Sequence, residues 1–229
     1  VNASNREKIA AWLHEKVAQA QGCKVQDQSA SLAQIAIQGP ASRDILATVG
    51  LADLSTLKIR HCLDATLCGH SLLVTRTGYT GELGYELYLP AAGAPTVWDR
   101  LLEAGRPLGI KPAGLGARDL LRLEMAYLLY GNDMNEETTP IEAGAEWVVK
   151  FDKGDFIGRT ELLAQQSQGA ARRLVAFELV EKAVPRHGFK ILSAQVPHVE
   201  IGEVTSGNLQ SWQTVIGPLS VPVLRLRPG

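Results

Sequence analysis

The clearest pattern of apolar and polar positions lies in residues 75–89, TRTGYTGELGYELYL. Glycines recur at every third position, and the YELYL run that follows alternates between two kinds of side chain. A period of two predicts a strand with two different faces, and glycine lets the backbone turn or a neighbouring group approach closely. The pattern predicts a glycine-rich turn leading into a strand, with Glu86 opposite Leu87. A turn with a solvated glutamate fits equally, because a glycine cluster is a weak signal.

The preceding and following segments mix helical and strand periods. Apolar positions three and four residues apart predict helices that begin near residues 4, 40, 95, 113 and 160, and alternating positions predict strands at 32–38, 62–68, 71–76 and 147–151. Ser4 with Glu7 forms a capping-box pattern at the start of the first helix. Gly69 and His70 mark a hairpin turn between the second and third strands. This mixture indicates an α+β fold.

The pattern changes after about position 168. Residues 165–171 are small and polar and predict a linker. Beyond them, short strand-like runs at 174–180, 189–192, 199–204 and 215–225 are separated by glycine and proline turns. Such spacing is typical of a small antiparallel barrel or sandwich. We therefore predict an α+β region over residues 1–168 and a C-terminal β-barrel domain over residues 169–229.

Composition narrows the classes of function. Lys+Arg 23 and Asp+Glu 24 give a formal net charge of -1, without the basic excess typical of nucleic-acid binding. No apolar run approaches the ~20 residues that cross a bilayer, and no signal peptide precedes the first helix. The three cysteines cannot all pair with one another, which argues against a disulfide framework. We expect a cytoplasmic protein that binds neither nucleic acid nor membrane.

A metal site at His61, Cys62, Cys68 and His70 is disfavoured by distance. Cys62 and Cys68 are six residues apart in the sequence. On one strand that separation is ~20 Å, whereas zinc ligands lie within ~2.3 Å of the metal. We predict no metal site here.

Arg118 and Asn2 are polar residues that could bind a ligand, but interactions within the protein would also explain them. Arg118 and Arg122 are four positions apart on one predicted helix and share a face. An ion pair with Asp119 or Glu124 would occupy Arg118, and residue type alone favours that interpretation. Asn2, just before the first helix, fits a loop amide bonded to the backbone.

Several longer strings resemble one family. They are GYTGE followed by GYE, then GARDLLRLE, YGNDM with TTPIEAG, and IGEVTSG; the opening VNASNREK resembles the family's VNA segment before a helix. Together they closely resemble the aminomethyltransferase (T-protein) family of the glycine cleavage system. The resemblance runs from Val1 to about Gly207 and weakens beyond it.

The resemblance implies a fold and a reaction. The family fold has three domains in a ring around a central folate channel, two of them α+β and the last a small β-barrel. Its acceptor is tetrahydrofolate, and its donor is an aminomethyl group on the lipoyl arm of a partner, the H-protein. The reaction releases ammonia and leaves 5,10-methylenetetrahydrofolate.

The resemblance also implies roles for individual residues. Glu86 matches the carboxylate that accepts from the 2-amino group and ring N–H of the pterin, a charge-assisted pair. Arg118 matches a residue whose guanidinium fork suits the anionic benzoyl-glutamate tail, although the sequence leaves open which end of folate it meets. The other matching positions of the family's folate site are Asn2, Tyr79, Tyr127 and Trp147. For Trp147, a place in the hydrophobic core remains an alternative.

No catalytic residue is expected within residues 1–229. In the family an aspartate in a GG-x-x-DD segment upstream of VNA orients the attacking folate nitrogen and helps ammonia leave. Here VNA opens the sequence, and both ends read as cuts through a longer polypeptide. We expect residues 1–229 to lack the family's last C-terminal strand as well. An acid–base group contributes ~10²–10⁴ in rate, so without it we expect no efficient turnover. At most, weak folate binding through Glu86 and Arg118 should remain.

Two other classes of folate protein remain as alternatives. One is a non-catalytic folate-binding module like the iron–sulfur assembly factors of similar shape, which carry a KGCYxGQE string. The corresponding TRTGYTGELGYE has no cysteine, which disfavours that class. The other is the folate domain of a dimethylglycine or sarcosine oxidase, or of a related demethylase, whose strings match less well; an upstream flavin domain would identify an oxidase.

Overall fold

The computed structural model describes residues 1–20, 22–51, 54–178, 190–192, 200–207 and 212–218, with side chains described up to residue 176. The chain divides into two compact units, Val1–Gly114 and Leu115–Gly229.

The first unit contains three helices and four strands among its described residues. In chain order they are α1 Arg6–Val17, β1 Leu32–Gln38, α2 Ser42–Thr48, β2 Cys62–Leu67, β3 His70–Thr75, β4 Gly84–Pro90 and α3 Ala94–Gly105. The strands form one antiparallel sheet in the order β1-β4-β3-β2. Helices α2 and α3 contact each other and cover one face of this sheet at β4 and β1.

The hydrophobic core of this unit lies between the sheet and the two helices. Alternate strand residues point into it, as the period-two pattern predicted: Ile35 and Ile37 from β1, Val74 from β3, and Leu87 from β4 are all buried. Val97 and Leu101 of α3 close the core from the helical side. The predicted bounds of β1, 32–38, are confirmed.

Two local predictions in the first unit are wrong. The Ser4–Glu7 capping box does not form, since a short 3₁₀ helix, Ala3–Asn5, precedes α1 and Ser4 Oγ accepts from the Asn2 amide at 3.2 Å. The hairpin turns at Cys68 and Gly69, because Leu67 pairs with His70. Both turn residues have positive φ, 52° and 77°, which is the geometry of a two-residue type I′ turn.

The second unit contains two helices and a second sheet among its described residues. In chain order they are α4 Leu115–Glu124, α5 Arg159–Gln168, β5 Arg172–Glu178, β6 Lys190–Leu192, β7 Glu200–Gly207 and β8 Trp212–Pro218. The sheet is antiparallel in the order β5-β8-β7-β6. The four predicted C-terminal strands correspond to these, but residues 179–180, 189, 199 and 219–225 of the predictions lie outside the described residues.

The predicted strand at 147–151 is wrong. The chain forms two 3₁₀ turns there, Glu146–Val148 and Phe151–Lys153. Their side chains do not alternate between a buried and an exposed face: Trp147 is 59% exposed and Val148 is 51% exposed. A short apolar run without a partner strand does not define its own secondary structure.

The predicted linker at 165–171 is helical over its first half. Helix α5 continues to Gln168, Gln165 accepts a hydrogen bond from Thr139 Oγ1 at 2.6 Å, and Ala170 is buried. Strand β5 then joins the preceding loop through Leu174 N–H, which donates to the Glu142 carbonyl at 2.8 Å. The domain boundary after residue 168 and closure of the sheet into a barrel stay predictions. Limited proteolysis, with first cleavage at Gly169, would test the boundary.

Candidate functional site

Strand β4 places Glu86 on the face of the first sheet that is turned away from the core. Tyr85, Leu87 and Leu89 are buried on the inner face, whereas Glu86 and Tyr88 lie half-buried on the outer face. The predicted opposition of Glu86 and Leu87 is confirmed. Glu86 stands opposite Thr75 on one side of β4 and Ala36 on the other, so it is held in the interior of the sheet.

Three uncharged groups donate hydrogen bonds to the Glu86 carboxylate. Gln34 Nε2 donates to Oε1 at 2.7 Å, and Oε2 accepts from the Thr77 hydroxyl and from the Tyr88 phenol, the latter at 3.4 Å. Thr75 Oγ1 lies 2.5 Å from Thr77 Oγ1 and extends the network. The sequence analysis missed Gln34, Thr75 and Thr77. The signal that places them is the β1-β4-β3 register, which a single sequence does not display.

The Glu86 charge is oriented by these donors but is not neutralised by them. In the part of the chain that the structure describes, no arginine, lysine or histidine forms an ion pair with Glu86. Partial burial and the negative charge of Glu86 raise the pKa of Tyr88 above its usual 10.0. Tyr88 is therefore a phenol donor throughout the neutral range. A carboxylate has about four acceptor positions, so Glu86 retains capacity for a further donor.

The glycine-rich turn is packed around the side chain of Gln38. Gln38 Nε2 donates to the Thr77 carbonyl at 3.2 Å and to the Tyr85 carbonyl at 3.1 Å. A Cβ at Gly78 or at Gly84 would lie 1.9 Å from Gln38 Oε1. The close approach that these glycines allow is thus used by the protein itself. This packing holds Thr77 where its hydroxyl meets Glu86.

The two other predicted residues of the first unit lie in different settings. Tyr79 is half-buried in the glycine-rich turn, two residues after Thr77. Asn2 is exposed, and its side-chain amide is bonded locally: Nδ2 donates to Ser4 Oγ at 3.2 Å and Oδ1 accepts from Asn5 Nδ2 at 2.9 Å. The amide is thus bonded locally, but to side chains rather than to the backbone as the ordinary explanation predicted.

The three predicted residues of the second unit are all exposed. Arg118 lies on α4, Tyr127 follows the end of that helix and is 37% exposed, and Trp147 lies in a 3₁₀ turn. The alternative that Trp147 belongs to the hydrophobic core is wrong, because more than half of it is accessible. Asp119, considered above as an ion-pair partner for Arg118, binds Arg122.

A buried ion cluster beside Tyr127 was missed by the sequence analysis. Arg122 and Asp133 are each 1% exposed and form an ion pair, and Arg122 also binds Asp119 Oδ1 through Nε at 2.8 Å and Nη2 at 2.7 Å. Burial lowers the pKa of Arg122, but the charges of Asp133 and Asp119 outweigh it and hold that pKa above its usual value. The arginine is charged at every relevant pH. Although Arg118 and Arg122 are four positions apart on α4, Arg118 is exposed to solvent and Arg122 is buried.

An open depression of about 540 Å³ borders the outer face of the first sheet near Tyr88. Leu32, Asp64 and Leu73 contribute to its lining. Leu73 pairs with Tyr88 in the sheet, and Thr75 pairs with Glu86 two residues further along β3. These two pairs therefore lie on the same face of the sheet. The depression therefore adjoins the Glu86 network through Tyr88, and its lining mixes apolar and polar side chains.

The histidines and cysteines around the hairpin are not gathered into a cluster. Cys62 begins β2, but Cys68 lies in the turn after Leu67 rather than on the same strand as predicted, and all three cysteines are exposed and unpaired. Within the described ranges, no group of three or more His, Cys, Asp or Glu side chains is placed to hold a metal ion. The helices of these same ranges are too short or too polar for any of them to cross a bilayer.

Comparison with known proteins identifies the family. Residues 1–153 match the family model described as GCVT N-terminal domain. The chain belongs to the family of glycine cleavage T-proteins, as the resemblance of its motifs implied.

Individual relatives agree with this assignment. The chain is 49% identical over 209 residues to an aminomethyltransferase of Halothermothrix orenii, covering 91% of this chain and 57% of the relative. It is 45% identical over 231 residues to an aminomethyltransferase of Chlorobium luteolum, covering 100% of this chain and 62% of the relative. The chain thus spans between 57% and 62% of the length of these relatives.

A solved structure shares the fold. The glycine cleavage system aminomethyltransferase T of Bartonella henselae superposes with a TM-score of 0.82 at 29% sequence identity, covering 96% of this chain and 60% of that chain. The predicted T-protein fold is therefore supported, whereas the small C-terminal barrel stays a prediction.

Proposed function

We propose that this chain acts in the tetrahydrofolate-dependent aminomethyltransferase reaction of the glycine cleavage system. The donor is an aminomethyl group carried on the lipoyl arm of H-protein, and the products are ammonia and 5,10-methylenetetrahydrofolate. The observation that carries the proposal is the Glu86 carboxylate, which is oriented by three neutral donors and has no cationic partner among the described residues. Membership of the family supports the same reaction.

The Glu86 network fits the chemistry of a reduced pterin. The pterin offers two adjacent N–H donors, and a carboxylate that accepts both forms a charge-assisted, bidentate pair. Gln34, Thr77 and Tyr88 set the plane of the carboxylate before any ligand arrives. Binding then costs little reorientation of this side chain, which is the benefit of a preorganised polar group.

The remaining roles are proposed residue by residue, each within its own unit. In the first unit, Tyr79 offers a ring face and Asn2 a polar side chain. In the second unit, the exposed guanidinium of Arg118 suits the carboxylates of the folate tail, and the accessible rings of Tyr127 and Trp147 suit stacking on a flat ligand. These roles follow from the matching motif positions.

The transfer is a substitution at one carbon without oxidation or reduction. In the donor, the methylene carbon is bonded to the lipoyl sulfur and to the amine nitrogen; in the product it is bonded to two nitrogens of folate. The two protons that leave those nitrogens end on the lipoyl thiol and on ammonia. The proposed work of this chain is to bind and orient the folate and to exclude water.

Assay of ammonia release from aminomethylated H-protein and tetrahydrofolate tests the proposal. Residues 1–229 contain no GG-x-x-DD string, so we expect release above the rate without protein but roughly 10²–10⁴-fold below an intact family enzyme. A rate equal to that of an intact enzyme would place the acid–base group within residues 1–229. Tetrahydrofolate binding with no ammonia release from this donor would favour the oxidase-type alternative, in which a separate flavin domain must first oxidise the methyl group before its carbon passes to folate.

A further inference from the structure

The second unit buries a charged side chain at the point where α4 ends. Arg122 and Asp133 are each 1% exposed, and Asp119 closes the other edge of the guanidinium. Removing charges from water is costly, and a buried ion pair often stabilises a fold no more than apolar residues of the same volume. We therefore ask which part of the backbone the buried ion pair holds in place.

Arg122 holds the backbone of Tyr127 in place. Tyr127 N–H donates to the Arg122 carbonyl at 2.8 Å, and Arg122 Nη1 donates to the Tyr127 carbonyl at 3.1 Å. Both peptide groups of Tyr127 are therefore held by one residue. Ala126 N–H donates to the Leu123 carbonyl at 2.9 Å, which completes the Schellman pattern of a helix end.

The backbone at this helix end is strained at Ala126 and needs other interactions to stabilise it. Ala126 has φ 55°, a left-handed conformation that strains any residue with a Cβ. Asp133 Oδ2 accepts from Leu129 N–H at 2.8 Å, so the same ion pair fixes the chain on both sides of Leu128. The strained turn is stabilised by buried charges rather than by glycine.

We infer that Arg122 is a positioning residue for folate binding: through its side chain and its carbonyl it holds the Tyr127 backbone, and so directs the exposed ring, without touching the ligand. At 1% exposure its guanidinium is enclosed by Asp119, Asp133 and the Tyr127 carbonyl. This inference rests on the proposed function, since it assigns Tyr127 to the folate site. It deepens that proposal by adding a residue that none of the matching motif roles includes.

The test compares tetrahydrofolate affinity with thermal stability in the full chain. Arg122→Lys keeps a positive charge that can pair with Asp133. It lacks the planar guanidinium that binds Asp119 and the Tyr127 carbonyl at the same time. Arg122→Met removes the charge. Asp119→Asn is a milder variant for use where either Arg122 variant fails to fold. Each is made alone and together with Tyr127→Ala, and affinity is measured by calorimetry well below the melting temperature of every variant.

We expect Arg122→Lys to melt closer to wild type than Arg122→Met, while both bind tetrahydrofolate about five-fold or more weakly, the effect of one well-placed hydrogen bond. In the Tyr127→Ala background the further loss on changing Arg122 should disappear, because coupled residues are not additive. Asp119→Asn should show the same coupling with a smaller loss. Glu124→Gln, an exposed carboxylate on the same helix, is the matched control and should bind within two-fold of wild type.

Three results would overturn the inference, and they separate it from the proposed function. Arg122 and Asp119 variants that melt earlier but bind normally would show a purely structural cluster. An affinity loss of equal size with and without Tyr127 would show that Arg122 acts by another route. A wild-type chain that binds no tetrahydrofolate would reject the proposed function along with the inference, whereas loss on Glu86→Gln without coupling at Arg122 would reject the inference alone.

Discussion

Glu86 in the first unit and Tyr127 in the second are both proposed to contact folate, but different interactions hold them. Glu86 stands inside a strand paired on both sides, and its side chain is oriented by neutral donors. Tyr127 follows a helix end, and its backbone is held by a buried ion pair. A sheet holds its residues through many backbone hydrogen bonds, whereas at the helix end the Tyr127 carbonyl is held by the side chain of Arg122.

This difference predicts unequal tolerance to mutation. Around Glu86, the loss of one donor leaves the strand pairing intact. Around Tyr127, the loss of one charge leaves another charge buried without its partner, which is among the most destabilising changes a core can suffer.

Asp133→Ala should lower the free energy of unfolding by about 3–5 kcal/mol, because Arg122 would keep its buried charge while losing its buried partner. Asp119→Ala is the matched control: its side chain is 42% exposed, and an ion pair with one exposed member contributes about 1 kcal/mol or less. Urea unfolding followed by tryptophan fluorescence measures both. Equal losses for the two variants would contradict the assignment of Asp133 as the essential partner.

Gly84→Ala should lower the free energy of unfolding by about 1–3 kcal/mol through overpacking. Its new Cβ would displace Gln38, whose amide bonds the Thr77 and Tyr85 carbonyls. Gly114→Ala, at a position with nothing within 4 Å and no positive φ, should be nearly neutral.

Adding Gln38→Ala to Gly84→Ala sharpens this test. If Gln38 is what the methyl group meets, the double variant should be more stable than the sum of the two single losses predicts. Strict additivity in urea unfolding would show that another neighbour is responsible.

Glu86→Gln should lower the pKa of Tyr88 towards its usual 10.0, because burial and the Glu86 charge both raise it now. The phenol is the favoured form in the folded state, so the stability it contributes is present below pH 10 and lost as pH rises through the raised pKa. Phenolate absorbance, compared with a Tyr88→Phe variant, isolates this tyrosine among the five. A Tyr88 titration unchanged by Glu86→Gln would contradict direct contact.

The sequence predicts the sheet better than the helix end because of what each depends on. The alternation around Glu86 is local, so it predicts β4, its two faces and the outward carboxylate. The donors to Glu86 come from β1 and from the turn, which the alternation of one strand cannot identify. The position of the turn between β2 and β3 is likewise set by strand pairing, since Leu67 pairs with His70.

The Arg122–Asp133 pair was missed for a related reason. Helical spacing puts Arg118 and Arg122 on one face, but it cannot distinguish which of two arginines is buried. That depends on the return of residues 129–134 against the helix end, where Asp133 meets Arg122. The exposed Trp147 shows the same limit, because its apolar neighbours are typical of a strand that has no partner in the described fold.

The most direct test of the central claim is tetrahydrofolate binding by calorimetry to wild type, Glu86→Gln and Glu82→Gln. Glu82 lies in the same glycine-rich segment and is exposed, so it controls for the loss of one negative charge. We predict that Glu86→Gln weakens binding about 10- to 150-fold, the effect of losing a charge-assisted partner, while Glu82→Gln binds within two-fold of wild type. Equal affinity for wild type and Glu86→Gln would contradict the assignment of Glu86 as the pterin acceptor.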